Sequence, residues 1–287
     1  MTHLTIPAPA KINLYLAILG KRPDGYHTLA TEMVKLALCD RIHLARRAAG
    51  IAVECPGSPL SPGPDNLVHR AASRFLDRLG EGGVRIVLEK QIPIAAGLGG
   101  GSSDAAAVLL GMNSLWGSPF EQEQLVELAR PLGADVPFFV VECEAAWATG
   151  IGDLIQPNQV TIPGWVVLVN PGFSVSTKWV YENFALTKQG VPDKVGREFV
   201  PGTLASTHPW EVPLRNDLEA VTINRHPELA RIKEELLASG ASGALMSGSG
   251  PTVFGLFAEQ DRASQCAEHF AGRYGGNVFL TRPLGAS

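Results

Sequence analysis

Apolar and polar residues alternate from Pro9 to Ala17, with Ala10, Ile12, Leu14 and Leu16 on one face and Lys11, Asn13 and Tyr15 on the other. That period of two predicts a strand. The period changes over Asn66–Leu79, where Leu67, Ala71, Phe75 and Leu79 recur four apart and Gly80, Gly82 and Gly83 follow, which predicts a helix with a glycine stop. Val84–Glu89 returns to a strand pattern. Pro93 interrupts it, and a glycine-rich run from Gly97 to Gly101 leads into an alanine-rich helix over 105–115. Ser118-Pro-Phe-Glu121 has the spacing of a capping box, with Ser as N-cap, and predicts a helix ending near Gly133. Ala145–Thr149 and the turn Gly150–Gly152 close a first sheet, and 157–163 reads as a connector.

In the second half, Trp165–Asn170 reads as an apolar strand, Lys178–Phe184 as a helix, and the polar, Gly- and Pro-containing stretch 188–209 as a long surface loop. Pro227–Ser239 and Asp261–Gly272 are amphipathic helices. Strands at Ala244–Met246 and Thr252–Phe257 separate them, and a last strand follows at Asn277–Thr281. Helices and strands mix without a repeating βα unit, so the class is α+β, with a second half of split βαβ type. The boundary falls after residue 157, giving domains 1–157 and 158–287.

Composition narrows the functions open to such a chain. Of 287 residues 45% are hydrophobic and 18% charged, which excludes disorder. A net charge of −4 without a basic run argues against nucleic acid as a partner. Cys39, Cys55, Cys143 and Cys266 form no CxxC pair and read as buried small hydrophobes. The seven histidines show neither HxxxH nor HExxH, so no His-built metal site is expected. No charged leader precedes an apolar segment and no window approaches the roughly 18 apolar residues of a membrane span. The expectation is a soluble, cytoplasmic protein with no membrane partner.

The densest chemistry lies in Pro93-Ile-Ala-Ala-Gly-Leu-Gly-Gly-Gly-Ser-Ser-Asp104. Glycines let backbone amides approach an anion, and a helix amino end adds positive charge, so the run suits phosphate. It lacks the Lys of a Walker A loop, and GxGxxG fails because position 102 is Ser. The competing reading is a packed turn capped by Ser102 or Ser103. Asp104 falls in the first helical turn, where the dipole alone would favour an acid. Lys11 and Asn13 share a strand face about 7 Å apart at the backbone, facing either a cleft or solvent. Asp135, between apolar residues in Leu132-Gly-Ala-Asp-Val-Pro137, is either an N-cap or a carboxylate in a partly dry pocket. Asp24-Gly-Tyr-His27 is either a plain β-turn or a turn offering an aromatic ring and an imidazole to a base. Ser247-Gly-Ser-Gly-Pro251 either closes over phosphates or merely joins two strands.

Taken in order, Pro9-Ala-Lys-Ile-Asn-Leu14, Gly97–Asp104, Leu132–Pro137 and Ser247–Pro251 resemble the motifs of the GHMP small-molecule kinases, over nearly the whole chain. Arg22-Pro-Asp-Gly-Tyr-His27 is similar to the branch whose acceptor is a cytidine-diphosphate ester of a methylated sugar alcohol, rather than to the mevalonate, homoserine or galactose branches. The resemblance implies an N-terminal domain similar to a ribosomal-protein domain, a ferredoxin-like C-terminal domain, and an active site in the cleft between them, using ATP and Mg²⁺. It implies Asp135 as catalytic carboxylate and Lys11 as its partner. Pro93, Ile94, Ala95, Ala96, Gly97, Leu98, Gly99, Gly100, Gly101, Ser102 and Ser103 would cradle the ATP phosphates, and Asn66 and Leu67 would meet adenine. Tyr26 and Tyr181 would sandwich the cytosine ring, His27 would bind its edge, and Asn13 and Thr177 would hold the sugar-like end. Ser103 is a candidate metal ligand, though no carboxylate cluster marks a metal site. Two other classes compete with the sibling kinases. A nucleotide-dependent oxidoreductase would place its glycine loop early, with an acid about 20 positions on, and an RNA-binding module would need the basic stripe this chain lacks.

Overall fold

The computed structural model describes residues 2–160, 162, 164–187 and 214–285. The first half runs β1 (His3–Lys21), β2 (His27–Arg47), β3 (Gly50–Glu54), α1 (Leu67–Leu79), β4 (Gly83–Glu89), α2 (Gly100–Leu115), α3 (Gln122–Ala129), α4 (Val136–Val140), β5 (Ala145–Thr149) and β6 (Leu154–Asn158). The second runs β7 (Trp165–Val169), α5 (Thr177–Thr187), β8 (Arg215–Asn216), α6 (Glu219–Arg225), α7 (Glu228–Ala238), β9 (Gly243–Met246), β10 (Val253–Phe257), α8 (Gln260–Tyr274) and β11 (Val278–Thr281).

Strands of the first half, joined by β8 of the second, form a sheet in the order β3-β4-β2-β1-β8, with β5 paired to β2 and β6. The second sheet is antiparallel in the order β11-β7-β10-β9, the arrangement of a split βαβ unit. Ala10, Ile12 and Leu14 of β1 pack against Val166, Leu168, Leu245 and Phe254 of this second sheet. On the other side of the first sheet, Ala8, Met33 and Ile42 join α1, α2 and α4 in a separate core. Covered on both sides, β1 cannot carry a solvated face, so the solvent reading of Lys11 and Asn13 is corrected: they are 4% and 3% exposed. Three further ties join the halves. Strand β8 pairs in parallel with β1, and the backbone amides of Ala37 and Leu284 donate to Arg282 and Lys35 across the end of the chain.

Several local expectations change. Helix α2 begins at Gly100, because Gly99 (φ +71°) turns the chain and serves as N-cap without any side-chain cap, so neither Ser102 nor Ser103 caps it. Asp104 is thus the fifth residue of α2, buried within its helix and outside the first turn. Ser118 does not cap α3: its amide bonds the carbonyl of Asn113 at 2.7 Å, closing the end of α2, and the capping box is made by Glu121 and Gln124. Helix α3 ends at Ala129, with a 3₁₀ turn at Arg130–Leu132 before Gly133. Leu154–Asn158 is a strand where a connector was expected to begin; it pairs with β5 on one side, a position that tolerates Pro157. All four cysteines are free and only Cys266 is fully buried, the other three being half-buried. The stretch 188–209 lies outside the described residues. Among those described, no helix is long and apolar enough to cross a membrane.

Candidate active site

The first sheet, the glycine run and α5 enclose a cleft of about 1150 Å³. At its floor the Lys11 ammonium lies 3.5 Å from the Asp135 carboxylate. Lys11 also donates to Asn13 Oδ1 at 2.6 Å; Asn13 Nδ2 donates to Thr31 Oγ1 at 2.8 Å, and Thr31 donates to the Tyr15 carbonyl at 2.6 Å. This chain of bonds fixes the lysine head on the strand. Asp135 precedes α4 but makes no side-chain capping bond. Its carboxylate, in a side chain 36% exposed, is therefore available to a ligand.

The glycine loop closes one end. Gly97 (φ +78°) lies so close to the Ser247–Pro251 loop that a Cβ there would stand 2.2 Å from the Ser247 carbonyl, and Ser247 Oγ donates to the Gly97 carbonyl at 2.9 Å. The second glycine-serine loop thus buttresses the first while Gly248 and Ser249 line the cleft. Gly97→Ala, which drives a methyl into backbone, is expected to lower kcat/KM for ATP about 100-fold. Steady-state kinetics at varied ATP check it, and a loss under about threefold would show a slack loop.

Behind the loop sits a charged group that no sequence signal announced. Lys90 bonds both Asp40 and Asp104, and Asp40 also accepts the Ile92 amide at 2.9 Å. Burial pushes the Asp104 carboxyl up to about 7, against the pull of Lys90 and with the like charge of Asp40 adding to the rise. A carboxyl raised in the folded state binds its proton more tightly there than in the unfolded chain, so its contribution to stability falls as pH rises from about 4 to 7. Melting temperatures across that range are expected to drop less in Asp104→Asn than in the unchanged chain; parallel curves would contradict this.

The other end is aromatic. His27 lies 5.5 Å from Tyr181, ring centre to ring centre, and packs edge-on to Phe184 at 6.2 Å. Burial first, and the nearby Asp135 second, raise the Tyr181 phenol above its usual range, so it stays neutral. Tyr26 is 62% exposed at the cleft rim. Thr177 Oγ1 shares a hydrogen bond of 2.9 Å with Ser249. Asn66 caps α1 by accepting the Val68 amide at 3.0 Å and donates to the Ser61 carbonyl at 2.7 Å, so its side chain is already engaged.

The cleft therefore brings together Lys11, Asn13, Tyr26, His27, Asn66, Leu67, Pro93–Gly97, Gly99–Ser102, Asp135, Thr177 and Tyr181. Leu98 and Ser103 are not part of its lining: the Leu98 side chain packs into the core between the sheets, and Ser103 is buried. Thr31, Lys90 and Asp104, which sequence reading did not single out as site residues, do line it.

Comparison with known proteins decides the family. The model of the GHMP kinases N terminal domain matches residues 66–142, and that of GHMP kinases C terminal matches 209–276. A curated relative from Syntrophotalea carbinolica is 48% identical over 96% of this chain and 98% of its own length. The chain belongs to the GHMP kinases. That relative, and one from Geobacter metallireducens that is 47% identical over 99% of this chain and 100% of its own, are named 4-diphosphocytidyl-2-C-methyl-D-erythritol kinase. A crystal structure of 4-(cytidine 5'-diphospho)-2C-methyl-D-erythritol kinase superposes with a TM-score of 0.80 at 38% identity, covering 97% of this chain and 98% of the other. Homoserine kinase from Cytophaga hutchinsonii, at TM-score 0.72 and 19% identity over 99% of this chain and 95% of its own, shares the GHMP kinase fold. The two-domain-type α+β fold and the small-molecule kinase class expected from the motifs both stand, and ATP is the supported phosphoryl donor.

Proposed function

We propose that this GHMP kinase transfers the γ-phosphoryl group of ATP to the 2-hydroxyl of 4-diphosphocytidyl-2-C-methyl-D-erythritol, a step of the non-mevalonate route to isoprenoid precursors in the cytoplasm. The single observation that carries the mechanism is the Lys11–Asp135 pair, 3.5 Å apart, between a glycine loop and an aromatic turn in one cleft. The names of relatives at 47–48% identity support the acceptor. A division into domains at 157/158 places Lys11, the loop and Asp135 in the first.

In this reading the acceptor oxygen attacks the γ-phosphorus, the bond to the bridging oxygen breaks, and ADP leaves with that electron pair. Asp135 takes the hydroxyl proton. Lys11, held by Asn13, offsets negative charge on the transferring group. Backbone amides of Gly97 and Gly99–Ser102 would hold the phosphates, and Asn66 and Leu67 mark the adenine end; the Ser103 amide is already bonded to the Gly99 carbonyl at 2.9 Å. Ser103 Oγ, expected as a metal ligand, is buried without a hydrogen-bond partner among the described residues and lies outside the cleft lining, so it does not fit a cation that enters with the nucleotide. Mg²⁺ would be held by the nucleotide's own phosphate oxygens, and when bound it neutralises their charge. Tyr26 and Tyr181 would bracket the cytosine ring, with His27 at its edge, and Asn13 and Thr177 would hold the methylerythritol end.

Tyr26→Ala is expected to raise KM for the cytidyl substrate by one to two decades, the worth of about 1 to 3 kcal/mol of stacking, while KM for ATP stays put. If both constants rise together, the turn at Asp24–His27 is only structural. The acceptor itself is tested by ADP release against the cytidyl ester, mevalonate, homoserine and galactose. Turnover with the first alone is expected, and turnover with mevalonate alone would reassign the chain to a sibling.

A further inference from the structure

Strands β1 and β2 pair so that Lys11 stands directly opposite Lys35. Opposed residues of an antiparallel pair project from the same face, and two ammonium groups placed there repel. Each is held by a different end of one short helix. Lys11 meets Asp135, which precedes α4. Lys35 reaches the far end: its Nζ donates to the carbonyl of Val141, which closes α4, at 3.1 Å, and stands 5.1 Å from the ring centre of Phe138 and 6.0 Å from that of Phe139. All these partners belong to α4 or its cap.

The surroundings leave Lys35 little other purpose. It is buried, and burial draws its ammonium below the usual range, with the charges of Cys143, Glu144 and Glu142 opposing that shift. Its own backbone is fixed on both sides, the amide donating to the Glu144 carbonyl at 2.8 Å and the carbonyl accepting from Leu284 at 2.9 Å. The anchor is thus rigid while α4, five residues long, has few bonds of its own. Movement of α4 would reach the reacting groups directly, since a Cβ at Gly99 would lie 3.0 Å from Phe139 Cζ and 2.9 Å from Lys11 Cγ.

We propose that Lys35 is a positioning residue: by gripping the carboxyl end and aromatic face of α4 it keeps Asp135 at the reach that Lys11 and the acceptor hydroxyl require. The inference rests on the role assigned to Asp135 above.

Lys35→Met keeps the aliphatic stem and removes the charge, and Lys35→Arg keeps the charge. Lys35→Met is expected to lower kcat about 10- to 100-fold, the cost of a displacement near 1 Å, with KM for ATP unchanged, and Lys35→Arg to regain most of the loss. In an Asp135→Ala background, Lys35→Met is expected to cost less than about twofold, because the group it positions is gone. A wild-type kcat for Lys35→Met, or the same fold-loss in both backgrounds, overturns the proposal. Should Lys35→Met not fold, Lys35→Gln carries the same two comparisons. Near-normal turnover by Asp135→Ala alone would instead overturn the functional reading, which separates the two failures.

Discussion

Asp135→Ala is expected to lower kcat by about 10² to 10⁴ while ATP binds as before and the melting temperature hardly moves. Each part of that expectation has its own source. The rate loss follows from removing the group that takes the hydroxyl proton. Nucleotide affinity is spared because the carboxylate belongs to the segment before α4 and not to the glycine loop. Stability is spared because the side chain caps nothing, is partly exposed, and leaves the Lys11 ammonium still bonded to Asn13. Asp135→Asn, nearly the same shape without charge or basicity, is expected to fall as far, which would exclude a purely steric role. Rapid-quench transfer rates and nucleotide titration read these separately, and a drop in ATP affinity equal to the drop in rate would move Asp135 into the phosphate site.

Lys11→Ala is expected to cost a similar factor in kcat, at least about 10², but with a stability loss that Asp135→Ala does not show. Lys11 is buried and bonds Asn13, so truncation leaves a void and an amide oxygen without its donor. Lys11→Met fills the void without restoring charge. It is expected to recover stability and leave kcat low, and recovery of both would show that the ammonium is dispensable. Lys11→Arg is not expected to rescue: the lysine stem already fits so tightly under Gly99 that a Cβ there would be 2.9 Å from Cγ, leaving no space for a planar fork.

Much of this architecture is legible in the chain because local periods survive folding. The strand over 9–17, the helix with its glycine stop, and the glycine loop before an alanine-rich helix each carry their own signal. Strand β2 carries one only near its end, where Ile42 and Leu44 alternate with Arg41 and His43. Its first ten residues are covered on both faces, so apolar and polar positions do not alternate, and that same strand brings in Thr31 and Lys35. Ser118 misleads for a different reason: its spacing to Glu121 fits a capping box, yet its amide is needed to close α2. The family motifs name Lys11 and Asp135, but only the packing of α4 on α2, which itself lies on β1, brings residues so distant in sequence to 3.5 Å. Lys90, Asp40 and Asp104 are likewise assembled by topology, with no spacing rule to announce them.

The most direct measurement is the single-turnover rate of phosphoryl transfer from ATP to the cytidyl acceptor in Lys11→Met, Asp135→Ala and the double variant, all saturated with both substrates. Groups that act together on one hydroxyl lose their effect together, so the double variant is expected to be no slower than the slower single one by more than about threefold. Losses that multiply, or transfer at the unchanged chain's rate in either single variant, would contradict the account.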